Sequence, residues 1–252
     1  MRLTTLGTGT ISLDPHRARA GHLVETGAVR LLLDCGSGIA QRLAAFGGDW
    51  RTITHIALTH FHIDHTGDLP TLIFAWKYGD IPARREQLEI IGPAGTAAFV
   101  QRLADAYGAW VADPGFPITV REIASGEGIE LCEGVELAAA KVPHTDESVA
   151  YSVSADERRL VYTGDTGFDA ALGEWAAGAS ALLAECSLPD EMAIPEHLTP
   201  RRCGALAAAA APRLLALTHF YPPVERVDIR AEVGKHFSGE IVLATDGWSM
   251  EI

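Results

Sequence analysis

The sequence predicts an α/β fold. Short apolar runs rich in Val, Ile and Leu stop at turn residues and alternate with segments of helical periodicity along the 252 residues. Four of the predicted strands end directly in His or Asp, which is where α/β proteins place binding and catalytic groups. No Ser/Gly-rich linker, abrupt change in composition or clear repeat divides the chain. We therefore expect one domain over residues 1–252.

The expected elements follow one another along the chain. Strands are predicted at Leu3–Leu6, Val29–Leu33, Ile53–Leu58, Leu88–Ile91, Leu160–Tyr162, Leu214–Leu217 and Ile241–Ala244, because each is an apolar run that stops at a turn. Helices are predicted at Ile39–Phe46, Leu69–Tyr78, Thr96–Tyr107, Pro200–Ala210 and Val224–His236, because apolar residues recur there every three or four positions. Further short strands are expected between Ile81 and Val142.

Composition and charge restrict the possible partners. The chain has 33 acidic and 20 basic residues, a formal net charge of −13. Such a surface has no general attraction for a phosphate backbone, so a nucleic-acid substrate would need local basic contacts. Four cysteines without CxxC spacing argue against a disulfide framework and favour the cytoplasm. Neither a signal peptide nor a membrane span is expected.

The densest functional signal is the segment Thr59–His65, which reads THFHIDH directly after an apolar strand. Imidazole and carboxylate are the ligands that zinc prefers when thiolate is absent. Alternate residues of an extended segment point the same way, so His60 and His62 can share one ion. The turn that follows can direct Asp64 and His65 towards a second ion. A solvated histidine cluster is the alternative interpretation, but such clusters seldom follow a strand of this type.

This HxHxDH segment resembles the signature of the metallo-β-lactamase superfamily. Other segments resemble the family's remaining motifs in the expected order: Asp34 after Leu31–Leu33, His144 after Pro143, Asp165 in Thr163–Thr166, and His219 before Phe220. The resemblance covers nearly the whole chain. It implies a four-layer αβ/βα sandwich with two mixed β-sheets and a pair of metal ions at one edge between them.

The resemblance also implies how the metals are held. Seven residues would be the ligands: His60, His62 and His144 for the first ion, Asp64, His65 and His219 for the second, and Asp165 between the two. Asp34 would hydrogen-bond a ligand imidazole and fix its tautomer. Taken singly, His144 and His219 could instead be core histidines, and Asp34 could cap a turn. A set of N and O ligands suits zinc, with Mn²⁺ or Fe²⁺ as alternatives.

Three features indicate the branch of the superfamily. His62 replaces the Glu of the diiron flavoprotein branch, and Asp165 replaces the Cys of the common penicillin-degrading branch. His197-Leu198-Thr199, with Glu185 upstream, resembles the ribonuclease Z group. The resemblance implies a phosphodiesterase in which a hydroxide shared by the metals attacks phosphorus.

In that group, His197 would give a proton to the leaving oxygen and Glu185 would orient the imidazole. Asp64 would accept a hydrogen bond from the attacking hydroxide. The alternative interpretation of His197 is a loop histidine in front of the helix at Pro200–Ala210, for which Thr199 is the natural N-cap.

The substrate is less closely specified. Ile81–Val142 contains no long Gly/Pro-rich or basic arm, with which tRNA-processing members of this group grip tRNA, so a small phosphodiester fits at least as well as an RNA 3′ end. Arg17 and Arg19 are candidate phosphate contacts, although surface arginines without a role are more common. A dinuclear hydrolase of carboxyl esters, lactones, thioesters or sulfate esters is the alternative function. A carrier protein that has lost turnover is a third.

The resemblance also implies a homodimer. The ribonuclease Z group generally pairs through the face near its first helices. Trp76 and Tyr78 follow the HxHxDH segment closely and could supply aromatic anchors on that face. They could equally be core residues.

Overall fold

The computed structural model describes residues 1–252 and contains two seven-stranded β-sheets with helices on their outer faces. The strands are β1 (Arg2–Gly7), β2 (Gly21–Thr26), β3 (Val29–Leu33), β4 (His55–Ala57), β5 (Leu88–Gly92), β6 (Ile118–Glu122), β7 (Gly128–Cys132), β8 (Val135–Lys141), β9 (Val149–Ala155), β10 (Arg158–Tyr162), β11 (Ala181–Glu185), β12 (Leu214–Thr218), β13 (Glu240–Leu243) and β14 (Ser249–Glu251). The α-helices are α1 (Ile39–Phe46), α2 (Ile63–Thr66), α3 (Leu69–Phe74), α4 (Thr96–Tyr107), α5 (Ala170–Trp175), α6 (Pro200–Ala210) and α7 (Ile229–Gly234).

Both sheets are mixed in the same way. The first has the order β14-β1-β2-β3-β4-β5-β6, and the second has the order β13-β12-β11-β10-β9-β8-β7. Strands β3 to β6 run parallel to one another, as do β10 to β13, whereas the remaining neighbours pair antiparallel. The carboxyl ends of parallel strands are where such sheets form crevices for ligands.

The core consists of three apolar layers. One layer, including Leu31, Tyr151 and Leu183, fills the space between the two sheets. The other two pack helices α1, α3 and α4 against the first sheet, and helices α5, α6 and α7 against the second. Burying each large aliphatic side chain stabilises the fold by about 1.5–3 kcal/mol. The expected four-layer αβ/βα sandwich with two mixed sheets is thereby confirmed.

Most predicted elements are present, and two predicted helices differ. The segment Val224–His236 is a 3₁₀ turn followed by α7, because Asp228 leaves the helical conformation and its side chain accepts a hydrogen bond from the Ala231 amide. Leu69–Tyr78 is α3 followed by a π-type turn, in which the Asp80 amide bonds to the Ala75 carbonyl. Residues 81–142 contain β5, α4 and β6 to β8.

The strands β2, β9, β11 and β14 were missing from our prediction. Strand β9 reads VAYSVSA and is completed by β8 and β10 on either side. Val149, Tyr151 and Val153 alternate with small residues, a period-2 pattern of strand-favouring side chains that our prediction overlooked. None of the helices has the length and apolar surface needed to cross a bilayer.

Candidate metal centre

Five strands deliver polar side chains to one edge between the sheets. Asp34 follows β3, His60 follows β4, and Asp165 follows β10, while Glu185 ends β11 and His219 follows β12. All five strands belong to the parallel portions of their sheets, so their carboxyl ends meet at the same edge. The residues that the sequence singles out therefore come together from both sheets.

Three imidazoles form one cluster at this edge. His60 Nε2 lies 3.0 Å from His62 Nδ1, and His144 Nε2 lies 3.2 Å from the same atom. Ligand atoms of a tetrahedral zinc ion are separated by about 3.3 Å, given Zn–N bonds of about 2.0–2.1 Å. His60 is buried, His144 is half-buried and His62 is exposed, so this cluster lies on the open side of the site.

A second cluster lies deeper. Asp64, at the start of α2, places Oδ2 3.6 Å from His219 Nε2. Asp165 Oδ1 lies 3.2 Å from His65 Nε2 and 3.3 Å from His219 Nε2. The other oxygen of Asp165 faces the first cluster, 3.9 Å from His144 Nε2. Asp165 thus stands between the two clusters, as a bridging ligand would.

Unpartnered atoms show that the donors fit cations. His65 Nε2, Asp165 Oδ1 and His219 Nε2 are buried and make no hydrogen bond. A buried polar atom without a partner costs about 1–3 kcal/mol, yet these three converge on one point. Nitrogen and oxygen donors in this number suit zinc, or Mn²⁺ and Fe²⁺. The seven expected ligand residues thus fit a pair of divalent ions.

Burial keeps two imidazoles of the open cluster in the form that binds metals. It lowers the pKa of His60 well below the usual 6.5, and the neighbouring His65 lowers it further. Burial also lowers the pKa of His144. A neutral imidazole has a free lone pair, which coordination requires.

The deeper cluster attracts positive charge. Burial by itself would raise the pKa of Asp165, but His219 and His65 together hold it well below its usual value. Burial by itself would lower the pKa of His65, but Asp165 and Asp34 outweigh it and raise the pKa well above 6.5. The carboxylates therefore favour positive charge at this point, which a divalent cation would supply.

Asp34 lies beside the deeper cluster and organises it. Its Oδ2 is 2.8 Å from His65 Nδ1 and accepts hydrogen bonds from the Thr59 hydroxyl at 2.9 Å and the Tyr162 hydroxyl at 2.9 Å. Its Oδ1 accepts from the Thr59 amide at 2.8 Å. Because Asp34 accepts a hydrogen bond from Nδ1 of His65, Nε2 is the ring nitrogen that faces Asp165 and that would bind an ion in exchange for its proton.

Glu185 and His197 form a second carboxylate–imidazole pair. Glu185 Oε1 lies 2.9 Å from His197 Nδ1, and its carboxylate also accepts from the amides of Thr166 and Leu198. The His197 ring lies 5.1 Å from that of His144. Burial would lower the pKa of His197, but the hydrogen bond and charge of Glu185 outweigh it and raise the pKa to about 9. Both residues are thus placed against the candidate metal ligands.

The segment His197–Thr199 both places a histidine at the candidate site and caps a helix, so the two interpretations of the sequence are compatible. Thr199 is the N-cap of α6, accepting a hydrogen bond from the Arg202 amide, and its hydroxyl donates to Asp190. The cap fixes the start of α6 and, with it, the two residues that precede Thr199. His197 is therefore held by the helix as well as by Glu185.

The two candidate phosphate contacts lie in the loop between β1 and β2. The Arg17 guanidinium bonds to Glu225, to the Thr8 hydroxyl at 2.6 Å and to the Ala244 carbonyl at 2.9 Å. These bonds tie the loop after β1 to the end of β13 and use most of its donors. Arg19 is half-buried, and its Nε has no partner. Phosphate binding by either arginine stays a prediction, and the contacts of Arg17 give it no support.

Three hydroxyl groups at the site were missed by the sequence interpretation. Thr59 and Tyr162 bond to Asp34, and Ser187 bonds to Glu185 and lies 2.9 Å from His219 Nδ1. Ser187 stands two positions after Glu185, and alternate residues of an extended segment point the same way. That spacing is the signal that could have indicated it.

Comparison with known proteins gives consistent matches. Residues 29–220 match the family model described as a beta-lactamase superfamily domain. Ribonuclease Z of Mycobacterium bovis is 31% identical over an alignment that covers 100% of this chain and 98% of the relative. The metallo-beta-lactamase fold protein YhfI of Bacillus subtilis superposes with a TM-score of 0.84 at 22% identity, over 99% of this chain and 98% of the other. The short form of human tRNase Z gives 0.81 at 23% identity, over 100% and 99%.

Proposed function

The chain belongs to the metallo-β-lactamase superfamily and is similar to ribonuclease Z over its full length, and we propose that it is a phosphodiesterase with two divalent metal ions. The observation that carries this proposal is the Glu185–His197 pair. It holds an imidazole beside the metal ligands, with one ring nitrogen bonded to a carboxylate 2.9 Å away. Such a pair suits a substrate whose leaving oxygen needs a proton.

The ligand residues would hold the ions in two groups. His60, His62 and His144 would bind one ion, Asp64, His65 and His219 would bind the other, and Asp165 would bridge them, with zinc as the first choice of metal. When bound, the two ions would supply positive charge for the phosphoryl oxygens and a more acidic water as the nucleophile. Asp34 would keep the His65 imidazole in position.

The protein's own groups would perform the remaining steps. Glu185 would hold the Nδ1 proton of His197, so that Nε2 gives its proton to the leaving oxygen. Asp64 is buried, and one oxygen is 3.6 Å from His219; it would also accept a hydrogen bond from the attacking water. The exposed His62 and half-buried His144 mark the side from which substrate would enter.

The leaving group provides the test. We expect His197→Ala to slow hydrolysis of a nucleotide-like phosphodiester by about 10²–10⁴-fold, the usual contribution of acid catalysis. A p-nitrophenyl ester of the same acid should lose little, because nitrophenolate leaves without a proton. Glu185→Gln should show the same pattern more weakly. Steady-state rates on both substrates, with metal content measured in each variant, decide the matter.

Two results would contradict the proposal. Equal slowing of both substrates, or loss of metal in His197→Ala, would make His197 a ligand or a structural residue. Faster turnover of carboxyl esters, lactones, thioesters or sulfate esters than of any phosphodiester would favour the alternative hydrolase. Inclusion of a pre-tRNA in the same substrate panel separates RNA 3′-end processing from action on small phosphodiesters.

We also propose a homodimer, with a correction to its anchors. Trp76 is fully buried, and its indole nitrogen donates to the Trp50 carbonyl at 3.2 Å, so it is a core residue and not an anchor. Tyr78 is 57% exposed and packs against Phe74, which is 48% exposed. Phe74 and Tyr78 are therefore the candidate aromatic anchors.

Location in the cytoplasm stays a prediction, and all four cysteines are free thiols.

A further inference from the structure

Ser187 contacts both halves of the candidate site. Its hydroxyl donates to Glu185 Oε2, and its Oγ lies 2.9 Å from Nδ1 of His219. The side chain is fully buried, so bulk water does not compete for these bonds. We propose that Ser187 is a positioning residue that fixes the proton of His219 on Nδ1 and so presents the Nε2 lone pair to a metal ion. The inference rests on the proposed function, because it takes His219 as a ligand.

The single proton of the Ser187 hydroxyl limits where its hydrogen bonds can run. A serine hydroxyl has one proton to donate and two lone pairs that accept. Around Ser187 Oγ stand the Glu185 carboxylate, His219 Nδ1, and the His219 carbonyl at 3.2 Å. His197 Nδ1 is 3.5 Å away, but it lies closer to Glu185 Oε1, at 2.9 Å, and so donates there. The carboxylate accepts the one hydrogen bond that the hydroxyl can donate, because a hydrogen bond to a charged acceptor is about twice as strong as a neutral one. A lone pair of Ser187 therefore faces His219 Nδ1, which must carry the hydrogen.

The other ring nitrogen of His219, Nε2, points to the place where the candidate metal ligands converge. Nε2 lies 3.3 Å from Asp165 Oδ1 and 3.6 Å from Asp64 Oδ2, and it has no hydrogen-bond partner. With the proton on Nδ1, a lone pair occupies the point where the donors converge. The opposite tautomer would place an N–H there and would have to shift before metal could bind.

The other sheet repeats the arrangement. The Thr59 hydroxyl lies 2.9 Å from Asp34 Oδ2 and 3.1 Å from His60 Nδ1. A carboxylate, a buried hydroxyl and a ligand imidazole again stand in a row, and the same carboxylate also bonds a second imidazole directly. The two rows are built by different strands in different sheets. The arrangement around Ser187 therefore does not depend on the conformation of one particular turn.

The tautomer of His219 can be measured without metal and without substrate. Long-range ¹H–¹⁵N spectra of metal-free protein with ¹⁵N-labelled histidine, recorded at a pH high enough for the imidazole to be neutral, report which ring nitrogen is protonated. His219→Gln assigns the resonance. We expect the proton on Nδ1 in the wild type and in Ser187→Thr, which keeps the hydroxyl. We expect a mixture or the Nε2–H form in Ser187→Ala. Competition with a chelator should show zinc at one of two sites weakened by about 10–100-fold in Ser187→Ala only.

Ser152→Ala is the matched control. Ser152 is also buried, but its hydroxyl accepts from Arg159 at 2.7 Å and contacts no imidazole, so both readouts should match the wild type. An Nε2–H form of His219 in the wild type would overturn the inference even if Ser187→Ala fails to fold. Unchanged zinc affinity in a folded Ser187→Ala would also overturn it. A wild type that binds no zinc would instead refute the proposed function.

Discussion

Asp34 and His219 occupy the left-handed region of backbone conformation, with φ of 59° and 60°. Residues other than glycine are uncommon there, and each such residue costs on the order of 1–3 kcal/mol unless its surroundings hold it. The Asp34 amide bonds to Ala57 at 2.9 Å, and the Phe220 amide, directly after His219, bonds to Thr8 at 3.0 Å. These bonds turn the chain sharply at each strand end, so that both side chains face the metal site.

Asp64 gives the sharpest prediction at the level of one residue. Asp64→Ala should keep the fold but lose at least about 10²-fold in kcat, because in the proposed mechanism this one carboxylate would both bind a metal and orient the nucleophile. Circular dichroism and kinetics on the same preparation test this. Asp64→Asn, which has the same shape without the charge, should lose a similar factor. An undiminished kcat in Asp64→Ala would remove Asp64 from the mechanism.

Loops at strand ends form the site at the scale of the elements. The loop after β3 packs directly against the HxHxDH segment: the Cys35 amide bonds to the His65 carbonyl at 2.7 Å. A Cβ at Gly36 would lie 1.9 Å from the Asp64 carbonyl oxygen. Atoms that are not bonded to each other do not approach so closely. The atom in the way belongs to the backbone, so it cannot move aside as the end of a flexible side chain could. Glycine at position 36 is therefore required for the two loops to meet.

Gly36→Ala should consequently destabilise the protein by about 1–3 kcal/mol or more, the range for overpacking, and should also reduce metal content by displacing Asp64. Gly234→Ala is the control, because a Cβ there would meet no atom within 4 Å. Urea denaturation gives the change in the free energy of unfolding for each variant, provided that the slope m is unchanged. Metal content is measured separately on the same preparations. If Gly36→Ala matches Gly234→Ala in the midpoint of urea unfolding and in metal content, the close packing of these loops contributes neither to stability nor to metal binding.

At the scale of the whole molecule, the site exists only where the two sheets meet. Asp34, His60 and His62 come from the first sheet and its loops, whereas Asp165 and His219 come from the second. The apolar layer between the sheets fixes their distance apart. Neither sheet alone carries the full ligand set, so metal binding should stabilise the packing of one sheet on the other.

The exposed aromatic residues lead to the prediction about assembly. The protein should have the mass of two chains in light scattering at micromolar concentration, and Phe74→Glu or Tyr78→Glu should reduce it to one, because a charge at an apolar contact is costly to bury. Leu13→Glu is the control, since Leu13 is 87% exposed in the loop after β1. A wild type with the mass of one chain would refute the dimer.

The fold class, helices α1, α4 and α6, and the residue types of the candidate ligand set could be predicted from the sequence. Each of these depends on local information. Helical periodicity identifies a helix from its own residues, as at Thr96–Tyr107. Donor chemistry identifies a metal-binding segment from the spacing of its own side chains, as at His60 and His62.

Which partner each side chain has could be learned only from the folded structure. It placed Ser187 between Glu185 and His219, and it turned Trp76 into the core while Tyr78 points outward. It also bonded Arg17 to Glu225, 208 residues away. Such contacts join strands and loops that are distant in the chain, and their geometry depends on how the two sheets pack. A residue's own neighbours in sequence do not carry that information, because burial and hydrogen bonding are properties of the assembled layers.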